Sequence, residues 1–512
     1  MARYAAIDIG SNSVRLAVAE VETGKPPRML AVAREVTRLG ESVFTAGSVS
    51  REAMMLVELA LARFRRTYEG LHIDAARAVA TSAIRDAANQ AEFLERASAA
   101  AGIPVEVISG VEESRLIHDG VQSSWPHRDQ SVLMIDIGGG SAEVIVSDLG
   151  RMTAAVSKPL GAVRLTELFL QKDPPREEDL VRLHAFIDQK IASMMRKTGE
   201  VVVDRVIATS ATAAAVVCAT NGVGRREREA ADRMRATTAA VERLVKEIAG
   251  RTVATRRKIP GIGPRRAEIV VAGAAVLLRL LRAYGAKSVY YSTAGVRDGI
   301  ISDLAARRAG AALSRLDKEQ RRIVEGMARK FGIEVEHARK TAELAGTLFD
   351  SLKPLHGLPA ACGKLLEAAA HLADIGHYVS DMGHHRHSYY LVANADLPSF
   401  TAEEREVVAQ LCRFHRRSMP AARHVFFQKL EPATQRQVMR MIPLLRLADA
   451  LDRSHEQRVE NLEIEMQGQK TVIALSSGAG MNLEIWAGER AGEVFREVYG
   501  QELELRRRRG RQ

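Results

Sequence analysis

The chain has 512 residues, of which 46% are hydrophobic and 27% charged, so wholesale disorder is excluded. At about 100–200 residues per domain it holds about three to five domains, each able to bury a core. Lys and Arg exceed Asp and Glu by 74 − 63 = 11, which favours a polyanionic partner. Aromatic residues make up only 4%, which disfavours a base-stacking platform and with it a nucleic-acid partner. Cys218, Cys362 and Cys412 are far apart, which fits neither a disulfide framework nor a paired-cysteine metal site. Asp8 sits too early for an apolar signal segment to begin at residue 1. The longest strongly apolar run, 269–278, is about half of a membrane span. The expectation is a cytoplasmic protein with no membrane contact.

In chain order, β-branched runs bounded by turn residues predict strands at 4–10, 14–22 and 28–36. A helix is expected at 50–68, a strand at 77–80, a helix at 89–101, a strand at 105–109 and a helix at 111–121. The order then recurs: strands at 131–138, 142–149 and 152–160, a helix at 176–197, and strands at 205–209 and 287–292 before a helix at 295–306. Beyond that point the periodicity is helical, as at 323–328, 338–352, 364–373 and 401–414. Residues 472–475 and 483–485 read as a small terminal sheet, and the arginines at 506–509 as a solvated basic tail.

The recurrence is also visible as a self-match. Ile7-Asp8-Ile9-Gly10-Ser11-Asn12-Ser13 resembles Ile135-Asp136-Ile137-Gly138-Gly139-Gly140-Ser141 at an offset of 136 − 8 = 128. Ala80-Thr81-Ser82-Ala83 matches Ala208-Thr209-Ser210-Ala211 at the same offset, 209 − 81 = 128. Two separated matches at one offset indicate a duplicated domain. Two α/β lobes facing each other across a cleft follow, with one strand–turn–strand loop of each pointing into it. Small residues and successive amides in such loops make an anion nest. Asp8 and Asp136 would face each other, as carboxylates do when they hold hydrated Mg²⁺ against phosphate oxygens.

The motifs DIGSNSVRL, TSAIRDA, ISGVEESRLIHDGV, IDIGGGSAEVIV and STAGVRDGII occur in that order between residues 8 and 301. Together they resemble the exopolyphosphatase / guanosine pentaphosphate phosphohydrolase family, within the acetate kinase–sugar kinase–Hsp70–actin superfamily. The resemblance implies two duplicated actin-like lobes at 1–125 and 126–305, a helical HD-like region at 306–455 and a small terminal segment at 456–512. It implies Mg²⁺-dependent hydrolysis of a terminal phosphoanhydride, with inorganic polyphosphate as substrate. The alternatives are hydrolysis of guanosine pentaphosphate, a sugar or acid kinase, and a non-catalytic polyphosphate sensor. Carried over by motif, Glu113 activates water and Arg85 binds the terminal phosphate. Ser11, Asn12, Ser13, Gly138, Gly139, Gly140 and Ser141 hold phosphates, and Asp8, Asp136 and Glu143 hold the metal. A homodimer through the helical region is implied in the same way.

Two departures stand out. The family's Gly-x-Ser-Gly-Thr loop reads Ala208-Thr209-Ser210-Ala211-Thr212 here, and alanine disfavours positive φ. This tilts the reading away from a nucleotide contact. In the helical region His337, His371, Asp374, His385, His387, His415 and Asp449 resemble the ligand scatter of the HD phosphohydrolase superfamily. The adjacent His-Asp pair is missing, because Ala373 precedes Asp374. His371 is two positions away from Ala373, about 200° round a helix, so it does not restore the pair. The expectation is that this region lacks an active second metal centre, with a structural metal near His384, His385 and His387 as the alternative. Its basic segments Arg413-Phe414-His415-Arg416-Arg417 and His385-Arg386-His387 suit a polyphosphate track.

Overall fold

The computed structural model describes residues 1–22, 24–199, 201–309, 313–477 and 480–507. The chain divides into two units, Met1–Arg308 and Ala309–Gln512. In the first unit the three amino-terminal runs form β1 (Ala2–Ile9), β2 (Ser13–Val21) and β3 (Arg28–Val36), an antiparallel meander. β4 (Ala75–Ala80) and β5 (Val105–Val107) add parallel to β1, giving the order β3-β2-β1-β4-β5. Tyr4, Ala5, Ala6 and Ile7 are all buried, so β1 has both faces covered.

The second sheet repeats this plan. β6 (Ser131–Ile137), β7 (Ala142–Asp148) and β8 (Arg151–Lys158) form the meander, and β9 (Arg205–Thr209) lies parallel to β6. β10 (Arg235–Thr237) and β11 (Ser288–Tyr291) complete the order β10-β11-β9-β6-β7-β8. The order β8-β7-β6-β9 mirrors β3-β2-β1-β4, so the offset of 128 residues marks a structural duplication. The architecture is the one expected: two repeated α/β lobes followed by a mainly helical region.

Helices enclose the first unit. Ser50 caps the helix Arg51–Gly70 by accepting from the Ala53 amide at 3.1 Å. Its buried stripe Met54, Val57, Leu61 and Phe64 packs on the first sheet. The helix Leu39–Ala46 escapes the sequence pattern; it begins after Arg38, held at φ 51°. The helix Val296–Ala309 returns to the first sheet, placing Ile300 and Ile301 on Ala6, Ala17 and Val79. It crosses the helix Gly110–Ser124 closely, since a Cβ at Gly299 would stand 1.8 Å from the Leu116 carbonyl. Asp303 locks this crossing: Arg77 Nη1 and Arg115 Nη2 donate to it at 3.2 and 2.9 Å.

The second unit packs helices including Val335–Ser351, Ala361–Leu372, Ala402–Phe414 and Pro432–Ala450 around one core. β12 (Asn461–Gln467), β13 (Lys470–Ser476) and β14 (Glu502–Arg507) form its sheet. The expected strand at 483–485 is instead part of the helix Asn482–Tyr499. A three-residue apolar alternation fits both periods, and the buried positions Glu484, Gly488 and Phe495 follow the helical one. Arg506 and Arg507 end β14 rather than a tail; Arg508 and Arg509 lie outside the described residues. Among the described residues no helix is long and apolar enough to cross a membrane.

Candidate active site

The β1–β2 and β6–β7 turns meet at a cleft of about 490 Å³ within the first unit. Each turn closes on itself. The Gly10 amide donates to Ser13 O at 3.2 Å, and the Gly138 amide to Ser141 O at 3.0 Å. Among the described residues no acceptor lies on the amides of Ser11, Asn12, Gly139 or Gly140. These donors are free for an anion. The turns touch: a Cβ on Gly140 would lie 2.7 Å from Ser11 Oγ and 2.6 Å from Ser82 Oγ. This contact requires glycine in the second turn, where the first carries Ser and Asn.

The acids gather below the turns. Asp8 and Asp136 end β1 and β6 and line the cleft. Glu113 lies in the first turn of the helix Gly110–Ser124, which Ser109 caps by accepting from the Glu112 amide at 3.2 Å. Its neighbour Glu112 instead accepts from Arg115 and Arg77, so the two glutamates of the motif divide into a cleft acid and a structural one. Glu143, opposite Asp136 in register, is buried and accepts from Ser157 Oγ at 2.7 Å. Arg85 Nη1 donates to Ile108 O at 2.6 Å and to Glu113 Oε2 at 3.3 Å. All seven residues of the two anion turns line the same cleft.

These carboxylates share one electrostatic problem. Burial, then Glu143, pushes Glu113 well above the carboxylate range, against the pull of Arg85. Burial and Asp136 raise Glu143 to about 7. Asp8 is raised by burial against Arg15 and Arg297, and Asp136 by burial against a hydrogen bond from Thr209. Four acids that resist ionising together, Glu113 and Glu143 buried and Asp8 and Asp136 half-buried, could hold a divalent cation through hard oxygen donors. Among the described residues no three of them bring donor atoms within 4.8 Å of one another.

The cleft is also lined by basic residues, most of them invisible as sequence pattern. Arg15, Arg34, Arg225, Arg228, Arg266 and Arg297 line the cleft. Their recorded hydrogen bonds go to neutral oxygens. Arg34 Nε donates to Ser13 Oγ at 3.3 Å, Arg228 Nε to Tyr291 OH at 3.1 Å and Arg297 Nη1 to Leu16 O at 3.2 Å. Burial lowers Arg266 to about 9 and Arg34 to about 10, each helped by neighbouring arginines. Arg266 belongs to the Gly261–Glu268 segment, whose sequence suggests a helix-capping turn. The turn does precede the helix Val270–Ala283, and it also delivers this arginine.

The altered loop resolves differently from expectation. Ala208 lies in β9 and Ala211 in the helix Ser210–Thr220, so neither needs positive φ. The left-handed residue is Ser210, at φ 77°. Its Oγ donates to Ile137 O at 2.9 Å, as Thr212 Oγ1 does at 3.0 Å.

The sequence profile of the Ppx/GppA phosphatase family matches residues 17–308, and that of its domain III matches residues 320–485. A solved exopolyphosphatase-like protein is 28% identical with a TM-score of 0.57; the match covers 60% of this chain and 99% of that one. The Aquifex aeolicus member of the Ppx/GppA family is 27% identical with a TM-score of 0.53, over 60% of this chain and 98% of that one. An exopolyphosphatase from Cytophaga hutchinsonii is 26% identical with a TM-score of 0.54, over 59% and 98%. The chain belongs to the Ppx/GppA phosphatase family.

Proposed function

We propose that the chain is an exopolyphosphatase that hydrolyses the terminal phosphoanhydride of inorganic polyphosphate and releases orthophosphate with Mg²⁺ as cofactor. The observation that carries this reading is the set of arginines that line the cleft together with the acids. Arg34, Arg228 and Arg266 have no carboxylate within 4.0 Å among the described residues, and a string of phosphates supplies the missing charge. Among the described residues Tyr291 is the aromatic side chain that lines the cleft, and it is buried with its hydroxyl accepting from Arg228. It offers no exposed face to a guanine base, which favours the inorganic chain.

The residues divide the work. Glu113, placed in the cleft beside the phosphate turns, accepts the proton of the attacking water. The water oxygen bonds the terminal phosphorus as the bridging P–O bond breaks, and the shortened chain leaves with the electron pair. The amides of Ser11, Asn12, Gly139 and Gly140 and the Ser13 and Ser141 side chains orient the terminal phosphates. Arg85 holds Glu113 and presents its guanidinium to the terminal group. Asp8, Asp136 and Glu143 are the residues that would hold Mg²⁺, whose chemistry is to offset charge on the leaving chain. Positioning and electrostatics supply most of the rate.

The test is orthophosphate release with Mg²⁺ from long-chain polyphosphate, guanosine pentaphosphate and ATP, with Glu113→Gln as control. Fast release from polyphosphate, lost in the variant, is expected. Preferential release from guanosine pentaphosphate would replace polyphosphate as the substrate, and phosphorylation of a small alcohol by ATP without polyphosphate hydrolysis would replace the hydrolase reading altogether.

A further inference from the structure

In the second unit, imidazoles from separate segments converge on Asp374, which follows the helix Ala361–Leu372. His384 Nε2 lies 3.4 Å, His415 Nε2 3.5 Å and His377 Nε2 3.8 Å from Asp374 Oδ1. On the other carboxylate oxygen, His337 Nε2 lies 3.8 Å from Asp374 Oδ2 and 3.7 Å from Asp449 Oδ1. These separations are longer than ordinary hydrogen bonds. Two ligand atoms on one transition-metal ion, each about 2.1 Å from it, stand about 3.0–3.4 Å apart. The cluster therefore has the spacing of a slightly expanded coordination shell.

The orientation of the rings is a second, separate observation. His337 Nδ1 is 2.8 Å from Asp452 Oδ2, His377 Nδ1 is 2.7 Å from Asp381 Oδ1, and His415 Nδ1 is 2.7 Å from Cys412 O. Each partner is an oxygen acceptor, so each Nδ1 carries the proton, and a neutral ring then aims its Nε2 lone pair at carboxylate oxygens. Lone pairs facing carboxylates repel unless a cation lies between them. The sequence-based objection to this site concerned residue 371, and it holds. His371 lines a different cavity, of about 520 Å³, beside Arg321, Glu325 and Glu367. The donors come instead from residue 377, three positions after Asp374, and from residues 384 and 415, which packing brings to it.

We propose that this unit binds two first-row transition-metal ions bridged by Asp374. One ion takes His337 and Asp449 as further ligands; the other takes His377, His384 and His415. The second ion's donor set is nitrogen-rich and the first ion's holds one imidazole with two carboxylates, so each selects Mn²⁺, Fe²⁺ or Zn²⁺ over Mg²⁺ more than an all-oxygen set does. Arg416 Nη1, 3.2 Å from His384 Nε2, withdraws when an ion takes that lone pair. The competing arrangement is metal-free. Burial lowers the His337 pKa, but Asp449, Asp452 and Asp374 outweigh it and raise it to about 10, so a doubly protonated ring would join the acids.

The experiment strips the full chain with a chelator, loads it with Mn²⁺ under excess Mg²⁺ and removes free metal by gel filtration. Excess Mg²⁺ fills oxygen-only sites. Elemental analysis gives the metal content and electron paramagnetic resonance reports coupling between ions. Two retained, spin-coupled Mn²⁺ ions per chain are expected. Asp374→Asn should lose both, and His377→Gln, at a half-exposed position, should weaken one ion by about 10–100-fold and abolish the coupling. Circular dichroism verifies folding of each variant, and His377→Gln carries the test if Asp374→Asn does not fold. No retained Mn²⁺, equal retention in wild type and variants, or a single uncoupled ion in the wild type would each overturn the bridged pair.

Discussion

Arg15 and Glu143 occupy the same position in the two lobes. Arg15 pairs in register with Asp8 between β1 and β2, and Glu143 pairs with Asp136 between β6 and β7. The offset of 143 − 15 = 128 is that of the duplicated turns. One copy thus sets a cation beside its aspartate, and the other sets an acid. The two anion turns are alike, and the duplication differs in charge on the strand beside each turn, basic at Arg15 and acidic at Glu143.

Substitution should separate these two roles. Arg15→Gln is expected to raise KM for polyphosphate with little change in the Mg²⁺ concentration that gives half-maximal rate. Glu143→Gln is expected to raise that Mg²⁺ requirement by about tenfold or more, since a ligand to the cation is weakened. Steady-state rates across a Mg²⁺ titration decide it. Equal effects of both variants on the Mg²⁺ requirement would refute the division.

Glu113→Gln keeps the shape of the side chain and removes the base. Turnover should fall by about 100- to 10,000-fold, the range for a lost general base. Polyphosphate affinity should stay within a few-fold, because the arginine wall and loop amides are untouched. Single-turnover rates and equilibrium binding of the same preparation check both halves.

Part of this site is legible in the sequence and part is not. Asp8, Asp136, Glu113 and the two anion turns lie in contiguous motifs, because a turn builds its anion nest from neighbouring residues. The wall of Arg34, Arg228 and Arg266 comes from three segments far apart in sequence, and nothing local distinguishes these arginines from surface charge. Around Asp374 the scatter of His337, His415 and Asp449 is legible from the sequence, whereas His377 and His384, which take the place of the missing His-Asp pair, carry no pattern that ties them to it. The altered 208–212 loop misled for a local reason. Its positive φ is held by Ser210, not by either replaced glycine, and a serine in that conformation leaves no compositional mark.

The arginine wall predicts a salt effect. Arg266→Gln or Arg34→Gln should each raise KM for polyphosphate by about tenfold, equivalent to about 1.4 kcal/mol of lost charge-assisted bonding. kcat should change far less, since neither residue reaches the Glu113 end in any recorded hydrogen bond. Each variant should also flatten the dependence of log KM on log salt by about one unit of slope, as one phosphate contact is lost. An unchanged slope would remove that arginine from the substrate path.

Gly161 backs the second anion turn. A Cβ there would lie 2.3 Å from the backbone of both Gly139 and Gly140. Gly161→Ala must therefore displace the turn itself rather than a flexible side chain. A loss of about 1–3 kcal/mol in stability is expected from such overpacking, with a fall in kcat/KM. Gly161 is not among the residues lining the cleft, so the kinetic loss would report the position of the turn. Thermal melts and initial rates on one preparation test this, and full activity in a destabilised variant would detach the turn from catalysis.

The buried acids predict how the metal-free protein responds to pH. Burial and Asp136 raise Glu143 from 4.5 to about 7, and Glu113 is raised in the same direction. A carboxyl with a raised pKa binds more protons in the folded state than in the unfolded state between those two values. Stability in chelator should therefore fall as pH rises from about 4.5 through 7, by up to about 3 kcal/mol from Glu143. Saturating Mg²⁺ should remove the fall, because the cation stabilises the ionised form. Glu143→Gln should reduce it without Mg²⁺, because the amide has no proton to lose. The measurement is the melting temperature of the first transition at pH 5 and pH 8, with chelator and with Mg²⁺. A metal-free melting temperature that rises over this interval in wild type and variant alike would show that the acids are not held together as the cleft geometry places them.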